Sequence, residues 1–190
     1  MRLFIGIPLP ASAEADVVAI LRVLRAREWP VRWVRDRGLH MTIKFFGETT
    51  TDRVEAIVEM LNFSGEGLHP LTMTLSAAGV FPSVRQPRVI HLGIDAEPTL
   101  ELLQDRIERG AEGLGFPPEG RPFRPHLTLG RVREGHRLPE GWQTELERVP
   151  SGEAFLADRV MLFESELTPA GPSYAIRHRS EERRVGKECA

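Results

Sequence analysis

The sequence predicts an α+β fold of two lobes that surround a central cleft. Stretches whose apolar residues recur at helical spacing alternate with runs that have the composition or the alternation of β-strands. Two of these runs lie roughly half a chain apart, begin with the same His-x-Thr-x pattern and each belong to a helix-bearing unit. This weak internal repeat predicts that the lobes are related by a pseudo-two-fold axis, with the repeated motifs facing each other.

Proline and glycine divide the first half of the chain into its predicted elements. Ser12 can cap the first helix and Pro30 stops it, whereas Gly79 and Pro82 are expected to end a half-buried strand. In order, we expect a strand at 2–9, a helix at 12–27, strands at 31–34 and 39–46, a helix at 51–61 and a strand at 68–81.

The second half of the chain continues the alternation of strands and helices. Pro98 suits the first turn of a helix on which Leu100, Leu103 and Ile107 form one apolar face. In order, we expect a strand at 88–94, a helix at 98–114, a strand at 126–132, a polar connector at 135–150, a strand at 154–164 and a last strand beginning at 174–176.

The repeated motif carries the candidate chemistry. One copy contains His40 and Thr42, and the other contains His126 and Thr128, with aliphatic residues between and after them. Side chains two apart in a strand share a face, so each copy presents an imidazole and a hydroxyl to one side. By the same alternation Lys44 continues the polar face of the first copy. Facing strands of this kind would supply proton transfer at a phosphate, whereas the alternative is two unrelated strands with polar outer faces.

The surroundings of the two motifs resemble the 2H phosphoesterase superfamily. The first motif stands in the context HMTIKFFG over 40–47, and the second stands in RPHLTLGR over 124–131. Within that superfamily the chain resembles the bacterial and archaeal RNA 2′,3′-cyclic phosphodiesterases, which are also called LigT-like proteins or 2′-5′ RNA ligases. The opening RLFIGIP and the Trp33-Val34 pair resemble the same family. The likeness extends over about residues 1–178.

The resemblance implies a bilobal α+β domain over 1–178, an arrangement that the sequence alone does not determine. It implies hydrolysis of RNA ends that carry a 2′,3′-cyclic phosphate, with a 2′-phosphate as the product. It also implies that His40 donates a proton to the leaving oxygen and that His126 accepts one from water. The residues by themselves leave this acid and base assignment open.

The chemistry needs one neutral and one protonated group, and histidine suits both roles because its ordinary pKa is ~6.5. The hydroxyls of Thr42 and Thr128 can donate to phosphoryl oxygens, and Lys44 or Arg131 could stabilise the developing charge. Strand alternation turns Arg131 away from the motif face unless the strand bulges near Gly130.

Several other residues have two interpretations. Phe123 and Arg124 precede the second motif, and Phe123 could either stack on a base or pack in the core. By strand alternation the Phe45 side chain is expected to face the core, so its expected role is packing. Trp33 lies either near the cleft or in the core, and His91 is expected to be ordinary structure. Arginines near the motifs suit a polyanion: Arg22, Arg25, Arg27, Arg32, Arg35 and Arg37 before the first, and Arg121, Arg124, Arg131, Arg133 and Arg137 around the second.

Composition limits the alternatives. The net charge of -2 excludes a general polycation, and no apolar stretch approaches the ~20 residues that a membrane span needs. No signal peptide is visible, and the single Cys189 excludes an internal disulfide framework, so a cytoplasmic protein is expected. We also expect a monomer, although nothing in the sequence determines the oligomeric state. Neither motif contains a carboxylate, and we expect no metal and no cofactor.

Three functions remain open at this point. The first is hydrolysis of cyclic phosphate ends of RNA, for example tRNA fragments. The second uses the same site on another substrate, such as a small cyclic nucleotide, an ADP-ribose cyclic phosphate or a 2′-5′ linked oligonucleotide, and includes weak reverse ligation of tRNA halves. The third is an RNA-end-binding module without catalysis, although binding alone would need cations more than paired imidazoles.

The end of the chain departs from the pattern of the rest. Residues 179–190 are charged and lack periodicity, and they resemble the in-frame translation of a sequencing adapter. We therefore expect this tail to be non-native, with the native last strand truncated after His178.

Overall fold

The computed structural model describes residues 1–168 and 171–179, so all of the predicted tail (179–190) except Arg179 lies outside the described residues. The elements in chain order are β1 (Arg2–Pro8), α1 (Ala11–Arg25), β2 (Val31–Trp33), β3 (His40–Glu48), a 3-10 turn (Thr51–Arg53), α2 (Val54–Gly65), β4 (Leu71–Ser83), β5 (Gln86–Ala96), α3 (Thr99–Gly113), β6 (His126–Val132), α4 (Trp142–Glu147), β7 (Ala154–Ala157), β8 (Met161–Thr168) and β9 (Gly171–Arg179).

Within the described residues the strands form two antiparallel sheets. The first sheet has the strand order β3-β1-β8-β9, and the second has the order β2-β6-β5-β4-β7. The predicted α+β class is thereby confirmed. The two sheets do not coincide with the two halves of the chain, because β2 crosses to the second sheet and the last two strands return to the first.

The helices pack through the apolar faces that their spacing predicts. On α1 the buried residues include Val17, Ile20, Leu21 and Leu24. The predicted face of α3 is buried in the same way, and it belongs with α1 and both sheets to one contiguous hydrophobic cluster. Burial of each such side chain contributes about 1.5–3 kcal/mol, so these faces hold the sheets and helices together.

Helix α1 begins at Ala11, one residue before its predicted start. Ser12 therefore lies inside the helix, and Pro10 at the N-cap makes no side-chain capping bond. The expectation that Ser12 caps this helix is wrong. Proline is compatible with this position because its missing N–H and its restricted φ suit the start of a helix.

Strand β4 continues through both residues that were expected to end it. Gly79 pairs with His91 and Pro82 pairs with Pro87, and the pairing runs on to Ser83 opposite Gln86. Hydrogen bonding to β5 in one long hairpin therefore outweighs the local tendency of glycine and proline to end a strand.

Two further predictions are wrong in the C-terminal part. The polar connector contains a short helix, α4, because Trp142 and Leu146 are buried beneath its polar residues. The single strand expected at 154–164 is instead two strands in different sheets, β7 beside β4 and β8 beside β1. No helix among the described residues is both long and apolar enough to cross a membrane.

Candidate active site

The two motif strands lie in different sheets and contact each other. β3 forms the edge of the first sheet beside β1, and β6 lies between β2 and β5 in the second. Over seven residues the strands share one burial pattern, in which the histidine and the threonine are half-buried and the sixth residue is exposed. The two copies therefore form equivalent structures, as the repeat predicts.

Each motif strand contains a bulge directly after its threonine. In β3 the pairing with β1 passes from Thr42 to Lys44 and leaves out Ile43. In β6 the pairing with β5 passes from Thr128 to Gly130 and leaves out Leu129. A bulge inserts one unpaired residue, so the faces of the strand are exchanged beyond it.

The bulge in β3 overturns the expected role of Lys44. The Lys44 side chain is only 5% exposed, and its Nζ donates to Glu108 Oε2 at 2.8 Å and to the Pro117 carbonyl at 2.8 Å. Lys44 thus ties the motif strand to α3 and to the loop before the second motif. Because the bulge exchanges the strand faces, the Phe45 side chain lies on the same side as His40 and is 61% exposed. The expectation that Phe45 packs in the core is wrong.

The bulge in β6 has the opposite consequence for Arg131. This bulge lies at Leu129, directly before Gly130. It places Arg131 on the face of His126 and Thr128, where the Arg131 side chain is exposed. Burial raises the pKa of Tyr174, in β9 of the other sheet, and the positive charge of Arg131 partly opposes this rise. The bulge near Gly130 that Arg131 needs in order to face the cleft is therefore present.

Both motif imidazoles are oriented by the same local hydrogen bond. His40 Nδ1 lies 2.7 Å from the Gly38 carbonyl, and His126 Nδ1 lies 2.7 Å from the Arg124 carbonyl. A carbonyl oxygen can only accept, so each Nδ1 carries a proton and donates it. The remaining nitrogen, Nε2, is then the atom of each ring that can take up or release a proton during a reaction.

Aromatic rings enclose His40. Its imidazole stacks on Phe4 at 4.7 Å and on Phe163 at 5.3 Å, and it meets the edge of Tyr174 at 4.7 Å. Burial lowers the pKa of His40, and the Gly38 carbonyl opposes this shift only in part. The neutral imidazole is therefore favoured in the unliganded protein.

A third histidine lies beside His126. The centroid of His91 is 5.4 Å from that of His126, and both rings contact Phe81, at 4.0 Å for His91 and 4.9 Å for His126. Burial, and then the charge of His126, lowers the pKa of His91 to about 4. Among the described residues, the buried His91 Nδ1 has no hydrogen-bond partner. His91 is therefore part of the site, although its sequence position indicated only ordinary structure.

The surroundings of the two motifs differ at one corresponding position. Gly6 lies opposite Thr42 in the first sheet, and His91 lies opposite Thr128 in the second. A Cβ on Gly6 would stand 2.8 Å from the Met41 carbonyl, so this position has no room for a side chain. In the first sheet the His40 and Phe163 rings occupy the space beside Gly6, whereas in the second sheet the corresponding residue, His91, carries its own side chain.

The other predicted residues take the following places. Phe123 is half-buried and packs against the main core, which is one of its two expected roles. Arg124 is exposed beside His126, and Trp33 packs against the core. Over residues 1–168 and 171–179, no group of three His, Cys, Asp or Glu side chains could hold a metal ion. Metal independence stays a prediction.

The chain is similar to proteins of known class over most of its length. The model of the 2′-5′ RNA ligase superfamily matches residues 9–168. A Methanothermobacter thermautotrophicus protein named RNA 2′,3′-cyclic phosphodiesterase is 34% identical over 177 residues, which is 92% of this chain and 95% of the relative. A protein of the same name from Thermotoga maritima is 29% identical over 177 residues and covers 93% and 92%.

Solved structures show the same similarity. A crystal structure of a Thermus thermophilus protein superposes with a TM-score of 0.82 at 26% identity and covers 98% of this chain and 100% of its own. The crystal structure of E. coli LigT complexed with 3′-AMP superposes with a TM-score of 0.70 at 26% identity, covering 94% and 95%. Both motif strands lie within residues 9–168, which the family model matches.

Proposed function

The chain belongs to the 2′-5′ RNA ligase superfamily, and from this premise we propose that it hydrolyses RNA 2′,3′-cyclic phosphodiester ends to 2′-phosphomonoesters. One observation carries the proposal: two contacting strands each present an imidazole whose Nδ1 is held by a backbone carbonyl, with a threonine on the same face. The relatives named RNA 2′,3′-cyclic phosphodiesterase, which match more than nine-tenths of the chain, support it.

The reaction requires two proton transfers. His126 Nε2 accepts a proton from a water molecule as the water oxygen forms a bond to phosphorus. The bond between phosphorus and the 3′-oxygen breaks, and His40 Nε2 donates the proton that this oxygen takes up. Thr42 and Thr128 donate hydrogen bonds to the phosphoryl oxygens, whose negative charge grows in the transition state.

The surroundings of His40 bear on its role as the donor. Burial lowers its pKa, so the free protein holds His40 mostly neutral near pH 7. A bound phosphodiester brings a negative charge next to the ring, and an opposite charge favours the protonated form. We infer that His40 gains its proton together with the substrate.

Arginine side chains complete the substrate site. Arg131 and Arg124 are both exposed next to the second motif, and Arg131 lies on the face of His126. A guanidinium binds phosphate oxygens through two parallel hydrogen bonds, so these residues suit the phosphates of an RNA strand. Lys44 has no such role because its ammonium group is bound to Glu108 and Pro117.

The direct test measures hydrolysis of 2′,3′-cyclic AMP, and of a short RNA that ends in a 2′,3′-cyclic phosphate, with EDTA present. We expect a 2′-phosphate product, and we expect His40→Ala and His126→Ala each to lower turnover by at least ~10²-fold. His136→Ala is the matched control, because His136 Nδ1 makes the same contact, to the Glu134 carbonyl at 2.9 Å, in a surface turn.

The outcomes separate the remaining functions. Either motif variant that keeps nearly the full rate would remove its histidine from the mechanism. A preference for the RNA over the mononucleotide would identify RNA ends as the substrate, and the reverse preference would favour a small cyclic nucleotide. Binding of the RNA end without turnover would identify a binding module.

A further inference from the structure

Different neighbours hold the two motif imidazoles. The His40 ring lies beside Gly6, with its Cδ2 3.5 Å from the position that a Cβ on this glycine would take, and it stacks on phenylalanine rings. At the second motif, the ring of His126 instead contacts the rings of His91 and Phe81, at 5.4 and 4.9 Å. We call His91 and Phe81 the aromatic pair, and it stands at the second motif where phenylalanines stand at the first.

Strand β4 determines where the His91 ring lies. Gly79 is opposite His91 on β4, and a Cβ on Gly79 would stand 3.0 Å from Cε1 and 3.1 Å from Nε2 of the His91 ring. A side chain at residue 79 would therefore crowd the ring, and glycine allows the ring to lie close to the backbone of β4. Phe81 covers the same ring at 4.0 Å, with the two planes inclined by only 19°. The position of the aromatic pair thus follows from the path of one strand.

His91 has the properties of an uncharged aromatic ring. Burial, and then the charge of His126, lowers the pKa of His91 to about 4, so the ring is neutral near pH 7. Within the part of the chain that the structure describes, its buried Nδ1 makes no hydrogen bond. A histidine that transfers protons is usually oriented by a hydrogen bond from its other nitrogen, as both motif histidines are. The surroundings of His91 therefore use the shape of its ring.

The aromatic pair complements the hydrogen bond of His126. Nδ1 of His126 donates to the Arg124 carbonyl at 2.7 Å, which holds the ring at one point and leaves it free to tilt about that point. His91 and Phe81 meet the ring at interplanar angles of 66° and 79°. Aromatic rings prefer such edge-to-face arrangements, so these contacts oppose the tilt. Together the two constraints restrict the direction in which Nε2 of His126 points.

We propose that His91 is a positioning residue for the hydrolysis: with Phe81 it fixes the plane of the His126 ring, so that Nε2 is directed at the attacking water. This inference rests on the proposed function and deepens it, because it names what orients the proton acceptor. Such positioning acts on the chemical step, since a misdirected proton acceptor slows proton transfer while the phosphate stays bound.

Three variants of His91 separate the role of the ring from that of its nitrogen atoms. The substrate is a short RNA that ends in a 2′,3′-cyclic phosphate. His91→Ala removes the ring, and we expect kcat to fall roughly tenfold with KM changed by less than about twofold. His91→Phe keeps an uncharged ring and should hold kcat within about threefold of the unmodified protein. His91→Gln keeps a polar group without the ring and should lower kcat as far as His91→Ala does.

The matched control is Leu92→Ala. Leu92 is the next residue of β5, is fully buried and belongs to the main core. Its truncation leaves a cavity away from the aromatic pair, so the variant should lower the Tm at least as much as His91→Ala. Below the transition its kcat should match that of the unmodified protein, which separates a loss of positioning from a loss of stability.

Nuclear magnetic resonance measures the orientation of His126 without turnover, because the nitrogen chemical shifts of the ring report which nitrogen carries the proton. In the unmodified protein and in His91→Phe we expect a protonated Nδ1, as the hydrogen bond to the Arg124 carbonyl requires. In His91→Ala the ring should leave this bond for part of the time. Its two nitrogen shifts should then move toward each other, since both tautomers are populated.

Three results would overturn the inference: an unchanged kcat in His91→Ala, unchanged nitrogen shifts of His126 in that variant, or a His91→Phe protein as slow as His91→Ala. The last result would assign the role to the nitrogen atoms of His91. If the unmodified protein hydrolyses neither the RNA nor 2′,3′-cyclic AMP, while the shifts of His126 respond to His91→Ala as expected, the positioning stands and the proposed hydrolysis fails.

Discussion

At the scale of single residues, the candidate site contains three imidazoles with different surroundings. His40 stacks on two phenylalanine rings, whereas His126 lies beside His91. His40 and His91 both have lowered pKa values because both are buried. The hydrogen bond from Nδ1 to a carbonyl is the same in both motifs, so packing rather than hydrogen bonding distinguishes them.

The pH dependence of hydrolysis tests the role of His40. If His40 donates the proton, kcat/KM falls as the pH rises through the pKa of His40 in the free enzyme, which burial places below ~6.5. Phe163→Leu should let water reach the ring, raise this pKa and shift that alkaline limb to higher pH by a few tenths of a unit or more.

Which limb of the pH profile of kcat/KM shifts in Phe163→Leu shows whether His40 donates or accepts the proton. A shift of the acidic limb would make His40 the proton acceptor and His126 the donor. Two unshifted limbs, in a variant that retains its fold by circular dichroism, would contradict any titration of His40 in the reaction.

At the scale of elements, the bulge that follows the threonine in each motif strand decides which of the next residues face the cleft. Beyond Ile43 and Leu129 the strand faces are exchanged, so Lys44 turns toward α3 while Phe45 and Arg131 turn toward the cleft. The Lys44 ion pair then joins the first motif strand to the loop that leads to the second. We infer that this contact holds the two motifs in place relative to each other.

The variant Lys44→Met tests this structural role. It leaves Glu108, whose side chain is only 16% exposed, without its cation, and breaking such a pair costs about 3 kcal/mol. We expect a Tm lower by roughly 6–12 °C for a chain of this length. Below the transition, the loss of turnover should stay far short of the ~10²-fold effect expected for His40→Ala.

The double variant Lys44→Met with Glu108→Leu shows how much of the lost stability is due to the unpaired Glu108 carboxylate. Removing both charges should recover part of the lost stability, because a buried pair can be replaced by apolar side chains of similar volume. A stable Lys44→Met protein with a large loss of kcat/KM would instead return Lys44 to the substrate site.

At the scale of the whole molecule, the exchange of strands between the sheets makes the two motifs parts of one structure. β2 joins the second sheet and β8 with β9 joins the first, so neither sheet is built from one half of the chain. One contiguous hydrophobic cluster includes residues of both sheets. This cluster includes Met41 of the first motif and Leu127 of the second, so both motif strands pack on the same core.

Acid should destabilise the whole molecule through its buried histidines. A lowered pKa means that the folded state binds fewer protons than the unfolded state, so the free energy of unfolding decreases as the pH falls below ~6.5. For His91 this decrease continues down to its folded pKa of about 4. The group is partly exposed, so solvent screening reduces the effect.

The variant His91→Asn measures this contribution. We expect its Tm to decrease less than that of the unmodified protein between pH 7.5 and pH 4.5, with a difference of about 2 °C or more. Melting curves of both proteins at the two pH values provide the measurement. An equal or larger decrease in the variant would show that His91 takes up its proton without cost to the folded state.

Local physical rules account for the parts of the fold that the sequence predicted correctly. The buried faces of α1 and α3 followed from helical spacing, since side chains three and four apart lie on one face. β6 spans the residues predicted for it, because alternation of apolar and polar residues is a local signal of a half-buried strand. The shared faces of His40 with Thr42 and of His126 with Thr128 rest on the same rule.

Long-range pairing decided the rest. The position of a bulge depends on how β1 and β5 align with the motif strands, and this alignment set the directions of Lys44 and Phe45. His91 entered the site because it lies opposite Thr128 on a neighbouring strand. The sequence by itself determined which residue types carry the chemistry and that they occur twice. Only the tertiary structure decided what surrounds each imidazole, because register between distant strands is fixed by packing across the whole fold.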